Sequence, residues 1–197
     1  MSTKSSMKID RTAGRASATV LGWLLAMSGA LLIGAVVATL YWPRLAQATT
    51  PTRVTTDAIP PNGAFFESLR VLGATDAEGE DARIKIIARE PVAVFVVHNT
   101  FAPVMPNTPI ASTGWHSHPG PSVVVVKTGT ATVYEGDDPS CTPHTYPAGT
   151  AFIDHGGGHV HLVRNEGTDS LEVYAFQIIP AGESRRIDAA SPGYCPF

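Results

Sequence analysis

From Arg83 to Ile179 the chain is written in short apolar runs broken by Gly and Pro, and this punctuation limits its fold more than any other feature. Arg83-Ile84-Lys85-Ile86-Ile87-Ala88-Arg89 alternates, whereas Val92-Ala93-Val94-Phe95-Val96-Val97-His98 and Ser122-Val123-Val124-Val125-Val126-Lys127 read as buried strands. Lys127-Thr128-Gly129-Thr130 predicts a tight turn into Ala131-Thr132-Val133-Tyr134. Further strands are expected near Ala151-Phe152-Ile153, Val160-His161-Leu162-Val163 and from Leu171 to Ile179. No long amphipathic helical pattern follows residue 63. The expectation is therefore one all-β domain over 64–197, a double-sheet sandwich or jelly roll. Residues 43–63, with Pro43, Pro51, Pro60 and Pro61 among threonines and alanines, read as an exposed linker.

Two histidine-bearing segments lie on this framework, Gly114-Trp115-His116-Ser117-His118-Pro119-Gly120 and Gly158-His159-Val160-His161-Leu162-Val163-Arg164-Asn165. Histidines at i and i+2 on an extended segment point to one face, because side chains alternate with period two. A third imidazole from a distant strand then closes a facial set of metal ligands and leaves positions free for water, oxygen or substrate. His159 and His161 share parity, so either can be that third imidazole.

His116-Ser-His118, with Ser122 four residues on and Gly129 after six more, resembles the first motif of the cupin superfamily, H-x-H-x(3,4)-E-x6-G, with serine at the glutamate position. Gly149, Gly156-x-Gly158-x2-His161-x3-Asn165 resembles the second, G-x5-P-x-G-x2-H-x3-N, with one extra residue and Gly156 in place of proline. The resemblance implies a single cupin double-stranded β-helix, a jelly-roll barrel. It also implies metal ligation by His116, His118 and His161, with His159 the alternate, and Ser122 standing where the fourth ligand would be. The implied cofactor is one divalent transition metal, iron first and manganese or zinc as alternatives. Three histidines without a carboxylate resemble the sites of thiol-dioxygenase-like cupins. Gly-Trp-His-Ser-His-Pro also looks like part of the zinc site of JAMM-type metalloproteases, but the aspartate that completes that site is absent from 127–133. His98, His144 and His155 read as surface or supporting groups. Glu135-Gly136-Asp137-Asp138-Pro139 reads as a solvated acidic turn.

The N-terminus is a separate matter. Lys4, Lys8, Arg11 and Arg15 lie in a basic segment, 1–18, ahead of an apolar segment, 19–42, that carries no charge. A helix from Val20 to Tyr41 would be roughly 33 Å long at about 1.5 Å per residue, enough to cross a hydrocarbon core of about 30 Å. The basic flank predicts a cytoplasmic N-terminus and a single-pass anchor with the C-terminal domain outside. Ala46-Gln47-Ala48 keeps the alternative open, release to the periplasm or beyond after signal-peptide cleavage near Ala48. Cys141 and Cys195, the only cysteines, both follow the apolar segment and are expected to form a disulfide. Closing a loop of about 55 residues would stabilise by roughly 4 kcal/mol on the chain-entropy model.

Beyond Ala48 acidic residues outnumber basic ones, and the whole chain has a formal net charge of −3. This balance excludes nucleic acid as a partner, since such binding draws on clustered positive charge. Arg185-Arg186, the one basic pair in this part, reads as solvated surface, and Arg164, on the face opposite His161, is expected to face solvent. The functional classes that remain are a metal-dependent enzyme of oxygenase or isomerase type acting on a small molecule, a non-catalytic module that binds or senses a metal or small ligand, and, third, a structural ectodomain with a vestigial site. Substrate identity and self-association as a homodimer stay open at this level.

Overall fold

The computed structural model describes residues 47–77 and 80–197. Its thirteen strands are β1 (Val54–Phe66), β2 (Leu69–Ala77), β3 (Glu80–Ala88), β4 (Val92–Phe101), β5 (Ala111–Ser112), β6 (His116–Ser117), β7 (Ser122–Thr128), β8 (Thr130–Glu135), β9 (His144–Pro147), β10 (Ala151–Asp154), β11 (His161–Asn165), β12 (Leu171–Pro180) and β13 (Ile187–Asp188). One sheet runs β1-β4-β12-β7-β10 and the other β13-β6-β11-β8-β9, with β5 paired to β11. From β4 to β12, leaving out β5, eight strands follow in chain order. The sheets then read first-eighth-third-sixth and second-seventh-fourth-fifth, all antiparallel, which is the jelly-roll order.

The burial alternates as a half-buried strand demands. On β12, Leu171, Val173, Ala175, Gln177 and Ile179 point inward, and on β7, Ser122, Val124 and Val126 do so. These meet Val97 and Phe101 of β4, Val133 of β8, Phe152 of β10 and Val163 of β11 in one core shared by both sheets. The valine run of β7, expected to be buried on both faces, is buried on one only. Val123 and Val125 are 44% and 47% exposed. Val123 belongs to a row of register partners, Ile59, Val96, Phe176, Val123 and Ile153, that crosses the outer face of the five-stranded sheet.

The expected linker 43–63 differs from the structure, because residues from Val54 onward form β1 and pair with β4. Pro60 and Pro61 mislead a reader of sequence, yet an edge strand tolerates proline, and here the register slips between Ile59 and Ala64. Even earlier residues are attached: Thr49 N donates to Ala189 O, and Thr52 bridges Ser112. Of the alternating segment 83–89, residues 83–88 lie in β3, which pairs with β2 in a separate hairpin sheet.

Cys141 and Cys195 are joined. Cys195 packs with Trp115, Tyr134 and Leu162 in a second, smaller core, which ties the C-terminal tail against β11 and β8. Arg164 therefore does not face solvent: its guanidinium lies 3.7 Å from the centroid of the Phe197 ring and it is 8% exposed. The expected basic segment 1–18 and membrane-spanning segment 19–42 lie outside the described residues. Among the described residues no helix is long and apolar enough to cross a membrane.

Candidate metal centre

His116 on β6 is the register partner of His161 at the start of β11, so two distant motif histidines meet through a single ladder position. Their ring centroids are 4.3 Å apart, and the ring of His118, just past β6, lies 4.9 Å from His116 and 5.5 Å from His161. One ligand nitrogen from each lies within 4.8 Å of the other two. All three side chains are buried. Two tautomers are preset by the backbone. His116 Nδ1 donates to Gly114 O at 2.9 Å and His118 Nδ1 donates to Arg185 O, which leaves Nε2 of each as a free lone pair.

Electrostatics keep these rings neutral. The pKa of His116 is held well below its ordinary value by burial first, then by the charges of His161, Arg186 and His118. Burial lowers His118 as well, against the opposing pull of the Arg185 carbonyl and Asp154. His161 is lowered to about 4, again by burial, with Asp154 working the other way. Neutral imidazoles are the form a metal ion takes up.

His159 does not join this trio. It precedes β11, is partly exposed, and stands 3.7 Å from Glu135 and 3.4 Å from Asp137. His98 stacks on Tyr174 on the outer face, and His144 and His155 are exposed, so none of these three contributes.

The wall beside the histidines is a polar row set by register. Asp154 on β10 pairs with Ser122 on β7, and Ser122 pairs with Gln177 on β12. Gln177 Nε2 donates to Ser122 Oγ at 3.0 Å, and Arg185 Nη1 donates to Gln177 Oε1 at 3.2 Å. The next row inward, Phe152, Val124 and Ala175, is apolar. Two glycines let the loops close behind this row. A side chain on Gly120 would strike Ile178 O at 1.9 Å, and one on Gly156 would meet Gly120 at 2.3 Å. Gly156 also has φ +69°, which a proline ring cannot reach, so the proline of the second motif has no place in this backbone.

The histidines, Asp154, Ser122, Gln177, Arg185 and Arg186 line one cavity of about 70 Å³. Expected as solvated surface, Arg185 and Arg186 are half-buried there, and burial lowers both pKa values. Arg186 is paired with Asp188 at 2.6 Å. Arg185 has no carboxylate partner among the described residues. The donor set also fits a metal ion on independent grounds: Asp154 Oδ2 and His161 Nδ1 are buried with no hydrogen-bond partner, an arrangement folded proteins ordinarily avoid.

Jelly-roll strand order, with the histidines of both motifs meeting inside one end of the barrel, decides the architecture. This is a cupin fold. No protein-family profile and no curated protein matches the chain. Solved structures of similar fold include a cupin superfamily protein of Desulfitobacterium hafniense DCB-2, 12% identical, with 58% of this chain and 81% of that one covered and a TM-score of 0.36. An uncharacterised protein with a double-stranded β-helix domain from Klebsiella pneumoniae is 19% identical, with coverages of 63% and 80% and a TM-score of 0.36. An oxalate oxidase is 20% identical over 49% of this chain, with a TM-score of 0.38, and the chain spans only 46% of its length.

Sequence reading picked out the three histidines through spacing, but missed Asp154, Gln177 and Arg185. The signal for Asp154 lay in register alone, since nothing in the chain's linear order sets residue 154 beside residue 122.

Proposed function

We propose that this cupin domain binds one divalent transition metal through His116, His118 and His161 and acts on a small carboxylate-bearing molecule held beside the metal. The convergence of three buried, neutral imidazoles in one cavity wall carries the reading. Iron is the first choice, with manganese and zinc as alternatives, because imidazole with oxygen donors suits all three. A bound metal supplies Lewis-acid and redox chemistry at its open positions. The chain supplies the rest. Arg185, half-buried with no carboxylate partner among the described residues, offers a guanidinium fork to an anion, and Gln177 and Ser122 hold that arginine's position. The cavity is small, so the ligand has few heavy atoms.

An exported, membrane-tethered location is part of the same reading. It is supported by the basic flank, the uncharged apolar segment and the cysteine pair. The test is oxygen uptake by the purified, Fe(II)-loaded protein over a panel of small carboxylates, thiols, diketones and phenols, with His118→Ala as the blank. Uptake above the blank with a carboxylate, lost in Arg185→Ala, is the expected result. A panel ligand that raises the wild-type melting temperature without any turnover would replace the enzyme by a binding or sensing module, which the narrow cavity also accommodates.

A further inference from the structure

We infer that Asp154 is the fourth protein ligand of the metal, supplying from β10 the carboxylate that Ser122 lacks on β7. This rests on the three-histidine reading above. Asp154 and Ser122 are direct antiparallel partners, so their side chains leave the same face as neighbours. A carboxylate moved one strand across thus arrives beside the same point in space.

Four observations aim this side chain at the ion. It is 6% exposed. Its Oδ1 accepts from Gly156 N at 3.0 Å, which fixes the carboxylate, while Oδ2 has no partner. Oδ2 lies 3.7 Å from Nε2 of His118 and Oδ1 lies 3.8 Å from Nδ1 of His161, itself unpartnered. These separations are too long for hydrogen bonds, yet two donors each about 2.1 Å from one ion can stand that far apart. For His118, the fourth observation separates a ligand from a carboxylate that merely orients the ring. An orienting group bonds the imidazole nitrogen that faces away from the metal. On His118 that nitrogen, Nδ1, already donates to Arg185 O, and Asp154 approaches Nε2, the one with the free lone pair. Ser122 Oγ, by contrast, is occupied by Gln177.

Asp154 also groups with His159 and His161. His159 is the weaker partner, since it is partly exposed and engaged by Glu135 and Asp137. A set of three imidazoles and one carboxylate, mixed in N and O donors, suits Fe(II) and Mn(II) as well as Zn(II).

Cobalt(II) titration of the purified full chain tests this, using wild type, Asp154→Ala, Asp154→Cys and His159→Ala. Wild type is expected to take up one Co(II), and Asp154→Ala to bind it far more weakly than the loss of about 10- to 100-fold that removal of a merely orienting group brings. His159→Ala should match wild type, and Asp154→Cys should gain a near-ultraviolet thiolate-to-cobalt charge-transfer band. A loss of no more than about 100-fold in Asp154→Ala, the range of an orienting group, would overturn the assignment, as would Co(II)-loaded Asp154→Cys without the band. Either result leaves the three-histidine site standing, whereas a wild type that binds no Co(II) would sink the metal reading itself.

Discussion

Asn165 is fully buried and its amide is spent on backbone: Nδ2 donates to the carbonyls of Ala102 at 3.1 Å and Asp169 at 2.8 Å, with Phe101 at 3.5 Å, and Oδ1 accepts from Gly167 N at 3.1 Å. The asparagine of the second motif is thus a clamp between β11, the turn after it and the end of β4, remote in role from the metal. Asn165→Ala leaves those groups buried without partners, at about 1–3 kcal/mol for such a loss. A total loss of about 3 kcal/mol in urea unfolding is expected, with one metal ion per chain retained. Loss of metal without loss of stability would contradict this division of labour. Arg185 has the opposite character. Arg185→Ala gives up one hydrogen bond, to Gln177, and should cost no more than about 1.5 kcal/mol of stability, while lowering affinity for a small carboxylate, measured by calorimetry on the metal-loaded protein.

At the scale of elements, the row Asp154, Ser122, Gln177 belongs to three adjacent strands, and its members are coupled by register. Ser122→Ala removes only the acceptor of Gln177 and should cost about 1 kcal/mol of stability with little change in metal affinity. Ser122→Glu sets a second carboxylate against Asp154, and like charges directly opposite destabilise a sheet. Its apo melting temperature should fall, and the double variant Ser122→Glu/Asp154→Ser should recover both stability and one metal ion per chain. Calorimetric melting decides, and a Ser122→Glu protein as stable as wild type would refute the adjacency argument. This row marks the limit of what the sequence made legible. Short apolar runs bounded by Gly and Pro located β7, β11 and β12, and motif spacing chose His161 over His159, because both signals are local. The identity of the carboxylate beside Ser122, the strand hidden in Pro60-Pro61, and the inward turn of Arg185 all depend on which strands become neighbours. Pairing of that kind is set by the fold as a whole.

The whole molecule buries three imidazoles at one end of a barrel, and this makes its stability depend on pH in a direction fixed by their pKa values. In the unfolded chain each histidine takes up a proton near pH 6.5. In the fold His161 resists protonation down to about 4, and His116 and His118 are lowered too, burial being the largest cause in each. Below pH 6.5 the unfolded state therefore binds more protons than the native state, so stability falls as pH falls. For His161 the loss is spread between about 6.5 and 4 and then levels off, because both states are protonated below that; above 6.5 it contributes nothing. The metal-free protein should lose melting temperature steadily from pH 7 to 4.5, and His161→Phe should show a shallower slope. Metal loading should raise the melting temperature at pH 7 and lose that gain on acidification, since a bound ion requires unprotonated ligands. A melting temperature of the metal-free protein that stays flat from pH 7 to 4.5, under conditions where wild type still binds Co(II), would mean that the imidazoles are more hydrated than their burial implies. The neutral, preset trio on which the metal site depends would then have to be abandoned.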